Sequence, residues 1–159
     1  MEAGTVSSDR RVSVTVNGTT YEREVEARKL LIHFVRDDLD LTGSHIGCDT
    51  GNCGACSVIV NGTLVKSCMM LAVQADGAQI ETVEGLADGD ELTKLQQSFS
   101  AHHALQCGYC TPGMLMSATA LLRTTPHPSD DEIRKGLQGN ICRCTGYWNI
   151  FEAVKAASE

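Results

Sequence analysis

The sequence predicts an α+β protein, with a small mixed-sheet domain over residues 1–87 and an all-helical domain over residues 88–159. Three observations carry that prediction. Asn17-Gly18 and Asn61-Gly62 each interrupt an alternating apolar run. After Gly85 the apolar period changes from about two residues to about 3.6. The eight cysteines divide four and four between the two halves.

The elements follow in chain order. "RVSVTVNGTTYEREVE" alternates Val12, Val14 and Val16 with polar residues up to Asn17-Gly18. Asn-Gly tolerates the positive φ of a type I′ turn, so the run reads as a hairpin. "ARKLLIHFVRDDL" places Leu30, Leu31, Phe34, Val35 and Leu39 at helical spacing. "CSVIVNGTLVKSC" repeats the hairpin device at Asn61-Gly62, and "AQIETVEGL" supplies a last short strand. The boundary is placed near residues 84–90. Beyond it, Asp90 is expected to cap a helix carrying Leu92, Leu95 and Phe99. Thr111-Pro112 reads as an N-cap followed by proline at the first helical position. Ser129 and Glu132 form a capping-box pattern, and that helix stops at Gly139. A fourth helix runs through "YWNIFEAVKAAS".

Composition excludes several functions. Thirteen Lys and Arg against twenty Asp and Glu give a net charge of −7. Nucleic-acid binding needs clustered cations, so that class is disfavoured. "MEAGTVSSDRR" has no apolar run after its charges and does not read as a signal peptide. The most apolar stretch, "MLMSATALL", is too short and mixed to span a bilayer. A soluble, cytoplasmic protein is expected. Thiols stay reduced in that compartment, so eight cysteines point away from a disulfide set.

The cysteines then need another use. Cys48, Cys53, Cys56 and Cys68 have gaps of four, two and eleven residues. This is the plant-type 2Fe–2S ferredoxin spacing. A loop around such a cluster must turn several N–H groups towards its sulfurs, and Gly47, Gly51 and Gly54 permit unusual dihedrals. Cys107, Cys110, Cys142 and Cys144 have gaps of two, thirty-one and one. "CGYC" and "CRC" are each too tight to close a site alone, so each supplies two ligands of a second site. The positive end of the helix after Cys110 would face an anionic cluster. Structural zinc is the main alternative for both sets, since four thiolates also suit zinc. A dithiol redox motif at "CGAC" is disfavoured, because no helix opens there after a strand. Haem attachment is excluded, because Ser57 and Thr111, not histidine, follow the two C-x-x-C pairs.

"HIGCDTGNCGACSV" with Cys68, then "LQCGYCTPGM", then "GNICRCTGYWNI", resembles the iron–sulfur subunit of the molybdenum hydroxylases, the xanthine oxidase family. The resemblance covers about residues 10–157 and takes in all eight cysteines. It implies an N-terminal β-grasp ferredoxin domain and a C-terminal four-helix domain, each holding one 2Fe–2S cluster. It implies an electron-transfer subunit with no catalytic residue of its own. Electrons would pass from a molybdopterin centre, in the cytosine dinucleotide form, in a large subunit. They would cross the helical-domain cluster, then the ferredoxin cluster, and reach FAD in a medium subunit, the whole assembling as a dimer of heterotrimers. The resemblance also implies pterin contacts from Gln106 and Cys144. A cytoplasmic location follows, with partner subunits able to bring the chain to the inner face of the membrane. Within the family, "LLIHFVRDDLDLTGSHIGCDT" and "VKSCMMLAVQADGAQIETVEGL" are most similar to the small subunit of aerobic carbon monoxide dehydrogenase. The small subunits of N-heterocycle and aldehyde hydroxylases are closely similar too.

Other side chains read as structural. His102 and His103 precede a complete cysteine set and are expected at the surface. His33, in the first helix, is assigned a packed or exposed structural role, and His45, adjacent to the first loop, a place near the flavin subunit. Tyr109 and Trp148 are expected to pack near the second cysteine set. The acidic runs "DGDEL" and "SDDE" read as helix starts. As a bland reading, Gln106 would only cap the helix before it. Outside this class, the competing function is a zinc-stabilised interaction module, which would be colourless where a 2Fe–2S protein is brown.

Overall fold

In a computed structural model of the chain, residues 8–159 are described. Residues 1–7, part of the segment read as carrying no signal peptide, lie outside the described residues. Strand β1 (Asp9–Val16) pairs antiparallel with β2 (Thr19–Glu26), and β3 (Ser57–Val60) with β4 (Thr63–Lys66). Each hairpin turns at its Asn-Gly pair, with φ of 50° and 81° at Asn17-Gly18 and 48° and 81° at Asn61-Gly62. Both central residues are left-handed, as a type I′ turn requires. Strand β5 (Gln79–Glu81) enters between the hairpins, parallel to β1 and antiparallel to β3, giving the order β2-β1-β5-β3-β4.

The period-two pattern points Val12, Val14 and Val16 into one core, where they meet Val58, Val60 and Ile80. Helix α1 (Leu31–His33) continues into a π-helical turn, Phe34–Asp38. The Leu39 amide bonds the Phe34 carbonyl at 3.2 Å, five residues back. That wider turn keeps Leu31, Phe34, Val35 and Leu39 together on the buried side. Leu30, expected inside the helix, instead forms an isolated bridge with Leu71.

Four helices follow: α2 (Lys94–Ala101), α3 (Thr111–Thr124), α4 (Asp130–Leu137) and α5 (Trp148–Ser158). Their apolar faces enclose a second core around Phe99, Met114, Ile133 and Ile150, and Val83 and Leu86 of the connecting segment pack against it. Two expected caps are corrected. Thr93, not Asp90, caps α2. Its hydroxyl accepts the Gln96 amide and the Gln96 side chain returns to the Thr93 amide, a reciprocal box that the lone Asp90 cannot form. "DGDEL" is therefore a turn and not a helix start, and Leu92 is left exposed. Cys110, not Thr111, is the N-cap of α3, its carbonyl accepting the Met114 amide at 3.0 Å, which moves Pro112 one position into the helix. Ser129 caps α4 through the expected box with Glu132.

The two halves meet closely. Strand β3 is buried on all four residues, since α3 crosses its outer face. At Gly113 the helix backbone touches the chain of the first cysteine loop. A Cβ there would overlap the Gly54 carbonyl oxygen and lie 3.0 Å from Ala55 Cα. On the sheet side, Arg123 of α3 grips Glu81 of β5 with two hydrogen bonds of 2.7 Å each.

Candidate metal centres

The first cysteine set lies on the loop of residues 47–56, closed by Cys68 after β4. Asp49, Gly51 and Gly54 take φ of 54°, 74° and 73°. Gly47 does not, so its expected dihedral role is corrected: it provides space, because a Cβ there would sit 2.9 Å from Cys53 Sγ. The loop turns its amides inward as expected, Thr50 N–H and Cys53 N–H donating to Cys48 Sγ at 3.5 and 3.3 Å. Hydrogen bonds from Thr50, then from the Cys53 amide, hold the Cys48 thiol down to about 6. The thiols group as Cys48 with Cys53 and Cys56 with Cys68. Burial pushes the Cys68 thiol up to about 11, with the neighbouring Cys56 thiol adding to it and the Gly51 amide acting against it.

The second set is assembled from two segments. Cys107 and Cys110 flank Gly108, whose φ is 80°, at the entrance to α3. Cys142 and Cys144 lie in the loop before α5, where Tyr147 adopts φ 69° and its hydroxyl accepts the Cys142 amide at 3.0 Å. Cys144 Sγ and Cys107 Sγ are 3.4 Å apart, an exposed outer pair. Cys110 and Cys142 form the inner pair. Burial, then the Cys142 thiol, pushes Cys110 up to about 12.

A cavity of about 170 Å³ lies between the sets, reached by Gly47, Cys53, Tyr109, Cys110, Cys142 and Cys144. Tyr109 roofs it. The Tyr109 hydroxyl donates to the Ile46 carbonyl at 2.7 Å, and its ring stacks on His45 at 4.6 Å. His45 Nδ1 donates to the Tyr109 carbonyl at 2.8 Å. His45 thus ties the first cysteine loop to the segment carrying the second set. Below them the Ile141 amide donates to the Cys53 carbonyl at 2.8 Å. Buried Asn140 accepts from the Ser117 hydroxyl at 2.7 Å and donates to the Gly54 carbonyl at 3.0 Å.

These donors fit two-iron clusters. Each iron of a 2Fe–2S unit takes two thiolates, and each cysteine set is arranged as two pairs. A zinc site would instead gather its ligands around one point. Buried thiols that resist ionisation call for nearby positive charge, which iron supplies. The Thr111 hydroxyl, beside Cys110, is buried without a hydrogen-bond partner in the protein, and a cluster sulfide could accept from it.

Of the remaining expectations, Gln106 is exposed in a loop five residues past the end of α2, so it cannot cap that helix. It lines the cavity beside Cys107 and Cys144. Tyr109 and Trp148 are near the second set but largely exposed, not packed inside. Asn140 and Gly113 were not singled out in the sequence. Their only signal was position, Asn140 lying two residues before Cys142 and Gly113 three after Cys110.

A ferredoxin-type loop on a β-grasp sheet, backed by a helical unit with a second four-thiol set, defines a protein with two 2Fe–2S-binding domains. Residues 14–93 match the family model of the 2Fe-2S iron-sulfur cluster binding domain, and residues 82–155 that of the [2Fe-2S] binding domain. The chain is 51% identical to the caffeine dehydrogenase subunit gamma of Pseudomonas sp. (strain CBB1), over 95% of this chain and 92% of the relative. It is 51% identical to the nicotine 6-hydroxylase small subunit of Paenarthrobacter nicotinovorans, over 92% and 89%. A chain of quinoline 2-oxidoreductase from Pseudomonas putida 86 superposes with a TM-score of 0.93 at 48% identity, covering 96% of this chain and 95% of that one. This chain belongs to the small iron–sulfur subunits of the molybdenum hydroxylases. No described helix is long and apolar enough to cross a membrane.

Proposed function

We propose that this chain carries electrons between a molybdopterin centre in a large partner subunit and FAD in a medium one. Residues 1–87 and 88–159 form its two cluster-bearing domains. Cys48, Cys53, Cys56 and Cys68 hold one 2Fe–2S cluster, and Cys107, Cys110, Cys142 and Cys144 the other. When bound, each cluster accepts and releases one electron. The observation that carries this reading is the Ile141–Cys53 hydrogen bond. It joins a residue next to one ligand directly to another ligand, so the two sets form one rigid conductor. Gln106 and the exposed Cys144 mark the pterin-facing end. The Gln106 amide can donate and accept at once, as a pterin edge demands. The loop holding Cys48 is the flavin-facing end. The partners assemble as a dimer of heterotrimers in the cytoplasm.

Two substrate readings arise from the sequence, carbon monoxide and an N-heterocycle or aldehyde. The relatives named for caffeine, nicotine and quinoline favour an N-heterocycle, and that is the reading adopted for the holoenzyme.

The test is iron analysis and low-temperature EPR of the chain purified with its accompanying subunits. About four irons per chain and two distinct 2Fe–2S signals are expected. Cys53→Ser should abolish one signal and slow flavin reduction while substrate still reduces the molybdenum centre. Two irons per chain, or a single signal on full reduction, overturns the reading. Mass spectrometry of the accompanying chains, with substrate screening, decides between the two substrate classes.

A further inference from the structure

Lys66 ends β4, two residues before Cys68. Its ammonium does not turn to solvent. It donates to the Gly51 carbonyl in the middle of the first cysteine loop at 2.6 Å, from a part-buried position. The same residue, Gly51, supplies the amide that bonds the Cys68 thiol. On its other side the lysine tip lies against the helical half, 3.8 Å from the point a Cβ on Gly139 would occupy. Lys29 and Lys155 end on carboxylates, Asp38 and Asp130. Lys66 has no carboxylate within ion-pairing distance among the described residues. A cation fixed on the middle of the first cysteine loop, without such a pairing, is placed to act on the thiolate-bound cluster that this loop would hold.

We propose that Lys66 sets the reduction potential of the first cluster. Reduction adds one negative charge to the site, and a fixed ammonium nearby stabilises that added charge. The loop clamp and the charge are separate contributions. The hydrogen bond to Gly51 holds the loop in shape, while the charge favours the reduced state. Cys107 and Cys110 belong to a site the lysine does not clamp, so the second cluster should respond weakly. Lys66 is therefore a positioning residue for electron transfer, raising the potential of the first cluster relative to the second, the direction that draws electrons towards the first. The inference rests on the two-cluster reading above.

The experiment is an EPR-monitored redox titration of wild type and three variants, each purified with its accompanying subunits, with iron measured alongside. Lys66→Arg keeps the charge and the donor, Lys66→Gln keeps only a donor, and Lys66→Met keeps only the stem. The arginine variant should titrate like wild type. The glutamine variant should retain both signals with the first cluster shifted to lower potential and the second almost unmoved. The methionine variant should shift at least as far, or lose the first cluster if the clamp is needed for loading. In that case the glutamine and arginine pair still decides. An unshifted first cluster in the glutamine variant overturns the inference, as does an equal shift of both clusters. Absence of two 2Fe–2S signals in wild type would instead overturn the underlying reading and is seen before any variant is compared.

Discussion

The two cysteine sets solve one problem by different means. The first is local: three of its four thiols lie within nine residues, on a loop whose left-handed positions are built into its own sequence. The second is tertiary: its halves are thirty-one residues apart and meet only because α3 and α5 pack around one core. The first set encloses a buried pair, Cys56 at 2% and Cys68 at 4% exposure. The second leaves an exposed pair, Cys107 and Cys144. A local loop can bury part of its site and hand electrons on through its rim. A site assembled at helix ends keeps an open edge.

The largest effect should come from the residue where the two designs collide. Gly113→Ala places a methyl group against the Gly54 carbonyl, with backbone on both sides and no flexible side chain to move. Overpacking of this kind costs about 1–3 kcal/mol, and rigid surroundings favour the upper end. Thermal melts should show that loss, and EPR should show both cluster signals perturbed. If only the second cluster responds, the sites are more independent than the packing implies.

A smaller loss is expected from Asn140→Ala. The change orphans the buried Ser117 hydroxyl, at about 1–3 kcal/mol, and removes one bond from the Gly54 carbonyl, which keeps those from the Ser57 amide and hydroxyl. Although Asn140 belongs to the second set's loop, the EPR line shape of the first cluster should change, since Gly54 lies between Cys53 and Cys56. A line-shape change confined to the second cluster would separate the two sites again.

The smallest effect concerns the tie between sheet and helix. The Arg123 guanidinium holds the Glu81 carboxyl below its ordinary value of 4.5. A carboxyl depressed in the folded state stabilises it fully above pH 4.5, and the contribution fades as pH falls through the lowered value. The Glu81 side chain is 38% exposed, so solvent screening keeps the contribution under about 1 kcal/mol. Urea melts of wild type and Arg123→Met should differ slightly at pH 7 and converge well below pH 4.5. A difference that persists in acid would assign it to packing of the arginine stem.

Much of this was legible because it was local. Asn17-Gly18 and Asn61-Gly62 fix their turns through the dihedrals of two residues, and the alternating valines of β1 follow the strand period. Ser129 and Glu132 cap α4 within four residues. What failed needed information from elsewhere in the chain. The α2 cap is an exception, since Thr93 and Gln96 form a capping box as local as that of Ser129 and Glu132 and as readable in the sequence. The π turn at Phe34–Asp38 answers to core packing, which helical spacing does not register. The contact of His45 with Tyr109, sixty-four residues away, carries no sequence signal either. Both four-thiol sets could be grouped from spacing. The contacts that join them, Ile141 to Cys53 and Asn140 to Gly54, carry no sequence pattern.

The link from Ile141 to Cys53 is made entirely by main-chain atoms. Point substitution at either residue changes a side chain and leaves the amide and carbonyl in place. Evolution is therefore free to rewrite the Ile141 side chain, which is 55% exposed, to suit a new partner surface. What the arrangement does not tolerate is a change of chain length between Asn140 and Cys142. One added or deleted residue would shift the amide out of register with the loop it feeds. The link is thus indifferent to most side-chain changes but strict about spacing.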